Sequence, residues 1–337
     1  MPELLNVEGL RVRFRTAGLV KSLVKSLTDP HIDAVMQVSF TLHEGETYGL
    51  VGESGSGKTT LGRAIIGLVE MAEGSITFDG TELRGLDDAR LRVIRRNVAM
   101  MFQDPVASLS PRKTVRNLIT EPFRIHRIPG SESSRDARRL LNLVGLHEGF
   151  LGAYPHQLSG GQARRVGVAR ALALEPRLII ADEPTAGLDV SVQGEILNLM
   201  NRLQRELGLS YLIITHNLPV VRHVSDRLAI MYLGRFVETG DTDGIFASPA
   251  HPYTLGLLAA VPEPDPDKRR EKLELEGEIP SLMNRPQGCE FHTRCPFVRE
   301  KCLSEAPVLR TVAPGRMASC HFPFPNPAEA GTSGPGG

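Results

Sequence analysis

The sequence predicts an α/β fold: a largely parallel sheet flanked by helices, an antiparallel β layer ahead of it, a helical insertion within it, and a small cysteine-bearing module behind. Three observations carry this prediction. Apolar residues alternate in the first strand-like segments, as they do in antiparallel strands with one wet face. Three later runs are short and unbroken in their apolar character, as in strands buried on both faces of a parallel sheet. Between those runs lie stretches with helical periodicity.

In chain order, the alternating segments are Leu5 to Phe14, Ala34 to Leu42 and Ser75 to Phe78, the last closed by the turn pair Asp79-Gly80. The buried runs are Tyr48 to Val51, Leu178 to Ala181 and Tyr211 to Ile214. Ligands of such sheets sit beyond the carboxyl ends of the strands. Helical periodicity in Val115 to Phe123, Ser133 to Val144 and Ser159 to Leu174 predicts a helical subdomain over about residues 105–174. Leu19, Val20, Leu23, Val24 and Leu27 share one face of a short amphipathic segment, with Lys21 and Lys25 on another. That segment is expected to pack on its own β layer, the alternative being contact with lipid or a membrane subunit. After residue 248 the texture changes: a Pro-rich linker, a cysteine module within 249–325, and a tail over 326–337 expected to be disordered.

Composition narrows the function classes. The chain has 337 residues and 41% hydrophobic content, enough for a substantial core. Its 39 Lys and Arg balance 39 Asp and Glu, so no excess positive field exists to bind nucleic acid by counterion release. No apolar run approaches the length needed to span a bilayer, and the start lacks the layout of a secretion signal. The expectation is a cytosolic protein that contacts a membrane only indirectly. The four cysteines, Cys289, Cys295, Cys302 and Cys320, all lie near the end; in a reducing compartment this clustering favours a metal site over disulfides.

Gly52-Glu53-Ser54-Gly55-Ser56-Gly57-Lys58-Thr59 matches G-x-x-x-x-G-K-[ST], directly after a predicted strand and before a predicted helix that continues with Thr60. The glycines let backbone N–H groups converge, and the helix N-terminus adds positive partial charge, so the segment is suited to a nucleotide triphosphate. Lys58 supplies a charge to the β and γ phosphates, and the Thr59 hydroxyl is a ligand for Mg²⁺. At the end of the run Leu178 to Ala181 come two carboxylates: Asp182 is expected to hold Mg²⁺ through its water shell, and Glu183 to polarise the attacking water as general base.

Leu158-Ser159-Gly160-Gly161-Gln162 lies upstream of those carboxylates. With this pentapeptide the chain resembles the ABC ATPase family, whose signature it matches. The resemblance implies the ABC form of the P-loop NTPase fold: a RecA-like core, an antiparallel β layer and a helical subdomain, here occupying residues 1–248. It also implies that Ser159, Gly160, Gly161 and Gln162 face the γ-phosphate held by an opposite subunit, so that ATP is buried between two ATPase domains. Gln103 matches the glutamine that touches Mg²⁺ and the attacking water, Asp189 the loop that crosses to the partner, His216 the switch histidine at the γ-phosphate, and Phe14 the aromatic that stacks on adenine. Two departures are present, Asn217 where an aspartate is usual and Ala163 where a longer polar residue is frequent. Neither removes a catalytic group, so the resemblance implies an active ATPase.

Met101 to Arg112, Gly187 to Gln193, Pro249 to Thr254 and the cysteine module narrow the resemblance to the ATPase subunits of dipeptide, oligopeptide and nickel importers. In that branch two different ATPases pair beneath two transmembrane permease subunits on the cytoplasmic face of the membrane, and an extracytoplasmic binding protein delivers the solute. Nickel or another small solute is the alternative cargo, and a soluble ABC ATPase outside transport the alternative class. The cysteine spacing contains no C-x-x-C pair and misses the ferredoxin patterns. The resemblance implies a [4Fe-4S] cluster on Cys289, Cys295, Cys302 and Cys320, with Zn²⁺ or metal-free thiols as alternatives.

Overall fold

The computed structural model describes residues 1–15, 31–103, 108–128, 134–261, 275 and 277–324. The segment Leu19 to Leu27, the Pro-rich linker from 262 and the tail from 326 lie outside them.

The chain opens with β1 (Glu3–Arg15) and β2 (His31–His43), then β3 (Thr47–Val51) leading through the glycine-rich loop into α1 (Lys58–Ile65). Next come β4 (Glu73–Phe78), β5 (Thr81–Glu82), α2 (Asp88–Ile94) and β6 (Val98–Met101). The helical insertion holds α3 (Val115–Ile125), α4 (Ser134–Leu143) and α5 (Gly160–Leu172). It is followed by β7 (Leu178–Asp182), α6 (Val190–Leu207), β8 (Ser210–Thr215), α7 (Leu218–Val224), β9 (Arg227–Tyr232) and β10 (Arg235–Asp241). The last part carries α8 (Thr242–Ala247), α9 (Pro252–Ala259), α10 (Glu300–Ser304), β11 (Arg310–Ala313) and β12 (Arg316–Ala318).

Two sheets result. One is four-stranded and antiparallel, in the order β2-β1-β4-β5. The other has eight strands in the order β11-β12-β10-β9-β3-β8-β7-β6. Its parallel part pairs β3 with β8 and β9, and β7 with β6 and β8. Every residue of β3, β7 and β8 is buried, which is why these strands read as unbroken apolar runs. β1 instead alternates buried and exposed positions in part and is bulged against β2.

Among the described residues, three apolar clusters join these parts. The largest joins α3, α4 and α5 through Leu118, Leu140 and Val166 to one face of the parallel sheet at Ile179 and Ile213. A second lies between the antiparallel layer and the other face, around Leu5, Val35, Leu50, Leu61 and Ile180. A third, around Tyr232, Phe246, Tyr253 and Phe291, seats the C-terminal segment on β9 and β10.

The C-terminal segment is also stitched into the main sheet. β12 pairs with β10 at Glu238↔Ala318, and Glu238 is completely buried there. Its carboxylate accepts from the backbone N–H of Ala250 (2.8 Å) and His251 (2.9 Å) and from Arg316 (2.9 Å). Arg316 also donates to the carbonyl of Ser248. Removing one partner of such a buried pair leaves the other charge uncompensated. Arg316→Met is therefore expected to destabilise the fold by about 3 kcal/mol, read as a lowered urea midpoint, with Arg316→Lys intermediate.

Candidate active site

The phosphate loop passes between two walls of backbone. A Cβ on Gly52 would stand 2.2 Å from the carbonyl oxygen of Met231, and one on Gly57 would stand 2.2 Å from that of Ala34. Gly57 also has φ +101°, so both space and conformation require glycine there. Lys58 begins α1 and is buried. Its ammonium donates to the carbonyls of Gly52 (2.7 Å) and Glu53 (2.8 Å) and lies 3.3 Å from Ser56 Oγ. Burial lowers the Lys58 pKa, and the nearby carboxylates of Glu183, Asp182 and Glu53 oppose that shift. A phosphate oxygen offers this ammonium the same charge-assisted bond that the loop carbonyls accept.

Strand register brings the rest of the site to the same edge. Val51 at the end of β3 is level with Thr215 at the end of β8, and Asp182 at the end of β7 is level with Ile214. Thr59 Oγ1 lies 3.2 Å from Asp182 Oδ1, joining the helix after the loop to the carboxylate strand. Burial raises the Asp182 pKa, and the Thr59 hydrogen bond pulls against it. Glu183 follows in left-handed backbone, φ 51°, a conformation that is strained for a residue with a Cβ. Its carboxylate accepts from Thr215 Oγ1 (2.9 Å) and the backbone N–H of His216 (3.1 Å), and lies 2.6 Å from His216 Nδ1. The five side chains Lys58, Thr59, Asp182, Glu183 and His216 thus gather at one end of the parallel strands, where the sequence placed the site.

The signature residues form the predicted helix start. Ser159 Oγ accepts from the backbone N–H of Gln162 (3.2 Å), and Gln162 Oε1 accepts from that of Ser159 (2.9 Å), a reciprocal capping box. Asp189 caps α6 by accepting from the Val192 N–H (3.0 Å). A Cβ on Gly161 would come within 2.9 Å of Val192 Cγ1, so the starts of α5 and α6 are in contact. Ser159, Gly160, Gly161 and Gln162 therefore engage their own helix and the beginning of α6, not the phosphate loop that precedes α1. Phe14 stands near the end of β1, paired with Ile32 and 42% exposed. Gln103 lies two residues beyond β6 and is exposed.

Arg164 was missed in the sequence. It projects from the signature helix α5, is buried, and donates to three carbonyls of the carboxylate turn: Glu183 (3.0 Å), Pro184 (2.7 Å) and Ala186 (2.6 Å). Its guanidinium fork holds the strained turn and ties it to the helix that carries the signature. The only signal in the sequence was a charged residue beside the apolar positions Ala163 and Val166 of that helix.

Cys289, Cys295, Cys302 and Cys320 line one small cavity together with His251 and His292. Burial pushes the Cys289 thiol up to about 11 and raises Cys295 and Cys320 as well. Among the described residues, however, no three His, Cys, Asp or Glu side chains are set to hold one metal ion. The four cysteines thus share one cavity, and the [4Fe-4S] and zinc expectations find no preformed metal-ion site among the described residues.

Comparison with known proteins places this geometry. The ABC transporter family profile matches residues 35–186, and the profile of the oligopeptide/dipeptide transporter C-terminal region matches 237–302. A putative oligopeptide transport ATP-binding protein of Bacillus subtilis, YkfD, is 48% identical over 295 residues, covering 86% of this chain and 90% of that protein. The oligopeptide transport ATP-binding protein OppF of Escherichia coli is 48% identical over 282 residues, covering 82% and 84%. The chain belongs to the ABC transporter family.

Solved ABC cassettes share its fold. The dimeric cassette MJ0796 in a post-hydrolysis state, bound to ADP and Pi, matches with a TM-score of 0.62 at 29% identity over 71% of this chain and 99% of that one. The cassette cbiO1 of Clostridium perfringens, part of a cbiONQ transporter complex, matches with a TM-score of 0.63 at 28% identity over 73% and 92%. The chain is an ATPase of this family.

Arg164→Ala removes a donor from three turn carbonyls, of which that of Glu183 keeps the Ala186 N–H, at a cost of about 1–3 kcal/mol. It is expected to slow phosphate release more than it weakens ATP binding. Parallel measurement of kcat and of nucleotide affinity checks this, and an unchanged kcat would remove Arg164 from the positioning of Glu183.

Proposed function

We propose that this chain is the ATP-hydrolysing subunit of a peptide importer, in which two cassettes close on two ATP molecules and drive attached membrane subunits. The observation that carries the chemical part is the convergence of Lys58, Thr59, Asp182, Glu183 and His216 at the carboxyl ends of β3, β7 and β8. The peptide cargo is supported by the relatives' names and by the match to the oligopeptide/dipeptide transporter C-terminal region.

In this mechanism the loop 52–59 and the start of α1 hold the phosphates with backbone N–H groups and the Lys58 ammonium. Thr59, Asp182 and Gln103 are the residues that would hold Mg²⁺, which supplies charge neutralisation at the β and γ phosphates. Glu183 orients the attacking water and takes its proton, Thr215 and the His216 N–H hold the carboxylate in place, and His216 reaches the γ-phosphate. Phe14 stacks on adenine. Ser159, Gly160, Gly161, Gln162 and Asp189 complete the site of the opposite cassette, so ATP favours closure by touching both halves at once.

The partner is a second, different ATPase subunit. Of the two permease subunits, one docks on this chain in a groove between the β6 end and the helical subdomain, lined by Met101, Phe102, Pro122, Ile125 and Leu174, with Phe102 and Ile125 exposed. Gln103 is next in sequence to that groove and links it to the nucleotide. An extracytoplasmic binding protein delivers the peptide, and the chain works at the cytoplasmic face of the membrane. Residues 1–248 serve as the cassette, with about 105–174 as its helical subdomain, and 249–325 as the C-terminal module.

A [4Fe-4S] cluster is proposed for that module. Four thiols bordering a single cavity are the donor set that such a cluster takes. Cys289, Cys295, Cys302 and Cys320 would hold it and be tied by it, in a segment with little core of its own.

Two outcomes are expected. Glu183→Gln should bind Mg·ATP, hydrolyse it at least about 100-fold more slowly in the presence of the partner ATPase, and accumulate as a closed dimer on size exclusion; turnover equal to wild type would refute the base assignment. Anaerobically purified protein should carry iron and acid-labile sulfide in near-equal amounts, and Cys302→Ser should lose both; zinc in their place would replace the cluster with a single ion.

A further inference from the structure

The C-terminal module reaches the phosphate loop itself. Arg294, one residue before Cys295, is buried and places its guanidinium on the carboxylate of Glu53 in a bidentate pair: Nη1 to Oε2 at 2.7 Å and Nη2 to Oε1 at 3.0 Å. Tyr253 adds a second hold on the same residue, its hydroxyl accepting from the Glu53 backbone N–H at 3.0 Å. Glu53 is the second residue of the loop, and its carbonyl in turn accepts from the Lys58 ammonium. Both side-chain and main-chain atoms of one loop residue are therefore fixed from outside the loop.

What delivers Arg294 is the short segment between the first two cysteines. Cys289 donates through its backbone N–H to the carbonyl of Cys302 (2.8 Å), His292 N–H to Cys289 (2.9 Å), and Arg294 N–H to Phe291 (3.0 Å). This forms a single 3-10 turn, His292–Arg294, ending at Cys295. Phe291 packs on the ring of Tyr253 at 5.4 Å, and the Arg294 guanidinium lies 5.9 Å from the centre of the Tyr232 ring. A turn this short has almost no freedom independent of the two cysteines that bracket it, so the position of Arg294 follows the state of the cysteine cavity.

We infer that Arg294 is a positioning residue for the phosphate loop, through which the four-cysteine module sets the affinity of the ATP site. It rests on the loop binding ATP as proposed above. Lys58 is drawn by its own loop carbonyls, and an anchored Glu53 holds those carbonyls where the loop must stay open for phosphate. Without the anchor, Glu53 is an unpaired carboxylate beside a site meant for a polyanion, which weakens nucleotide binding directly.

The test uses the full-length chain with Mg·ATP as the probe. Arg294→Met should weaken Mg·ATP binding about tenfold, equivalent to about 1.4 kcal/mol, and raise KM for ATP while leaving kcat with the partner within about twofold of wild type. Arg294→Lys, a charge without the fork, should recover part of the loss. Glu53→Gln combined with Arg294→Met should lose less than the sum of the two single changes, because the two side chains act as one contact. Cys302→Ser should weaken ATP binding in the wild-type background and add nothing in Arg294→Met. Wild-type affinity in Arg294→Met, additive losses with Glu53→Gln, or an equal Cys302→Ser effect in both backgrounds would overturn the inference. If Cys302→Ser does not fold, as judged by circular dichroism, the cycle between Glu53 and Arg294 decides. Failure of the wild type itself to retain Mg·ATP would instead overturn the ATP site, and this inference with it.

Discussion

The architecture depends on a close approach of backbone to backbone at the phosphate loop. The carbonyl of Ala34 belongs to the antiparallel layer and that of Met231 to β9, and each lies where a single methyl group on Gly57 or Gly52 would collide with it. The loop is pinned from the same side by Gly234, whose N–H donates to the carbonyl of Ser56, while its own carbonyl accepts from Met36. One small segment therefore joins both sheets. Part of its own backbone is committed to protein as well, the N–H of Glu53 to the Tyr253 hydroxyl and that of Ser56 to the Glu53 carbonyl.

Around this loop, buried arginines do the work that regular secondary structure cannot. Arg164 satisfies the carbonyls of the turn that carries Glu183, Arg316 neutralises Glu238 beneath the last strands, and Arg294 grips Glu53. In each case a planar, permanently charged fork meets a set of oxygens whose positions are fixed by separate elements. Each pair costs desolvation and returns it through several hydrogen bonds at once, so its value is greater for specifying geometry than for net stability. The left-handed backbone at Glu183 is held where it is by such a fork and by the Ile214 carbonyl, which accepts from the Glu183 N–H at 2.8 Å.

Much of the fold was legible in the chain. The runs Tyr48 to Val51, Leu178 to Ala181 and Tyr211 to Ile214 became the bodies of β3, β7 and β8, because strands buried on both faces are mostly apolar and keep polar residues to their ends. The helices of the insertion fell within a few residues of their periodic stretches, and Ser159 capped α5, with Gln162 closing a capping box that only the structure revealed. Less legible was the end of the chain, where β11 and β12 extend the main sheet although their sequences, Arg310–Ala313 and Arg316–Ala318, are too short and too polar to announce strands. Their pairing comes from β10, an edge whose N–H and carbonyl groups needed partners.

By itself the sequence determined the chemistry: a glycine-rich loop with its lysine and threonine, two carboxylates at a strand end, a capped signature helix, and four thiols together near the end. These are local patterns, in which the residues that matter are neighbours along the chain and their spacing already implies a turn, a strand end or a helix start. Only the tertiary structure decided that Arg164 supports Glu183, that His216 meets Glu183 from another strand, and that Arg294 crosses from the cysteine module to Glu53. Those contacts join residues 19, 33 and 241 positions apart. No periodicity records such pairings, because they are set by how layers stack and by which buried charge lies within reach of which oxygen.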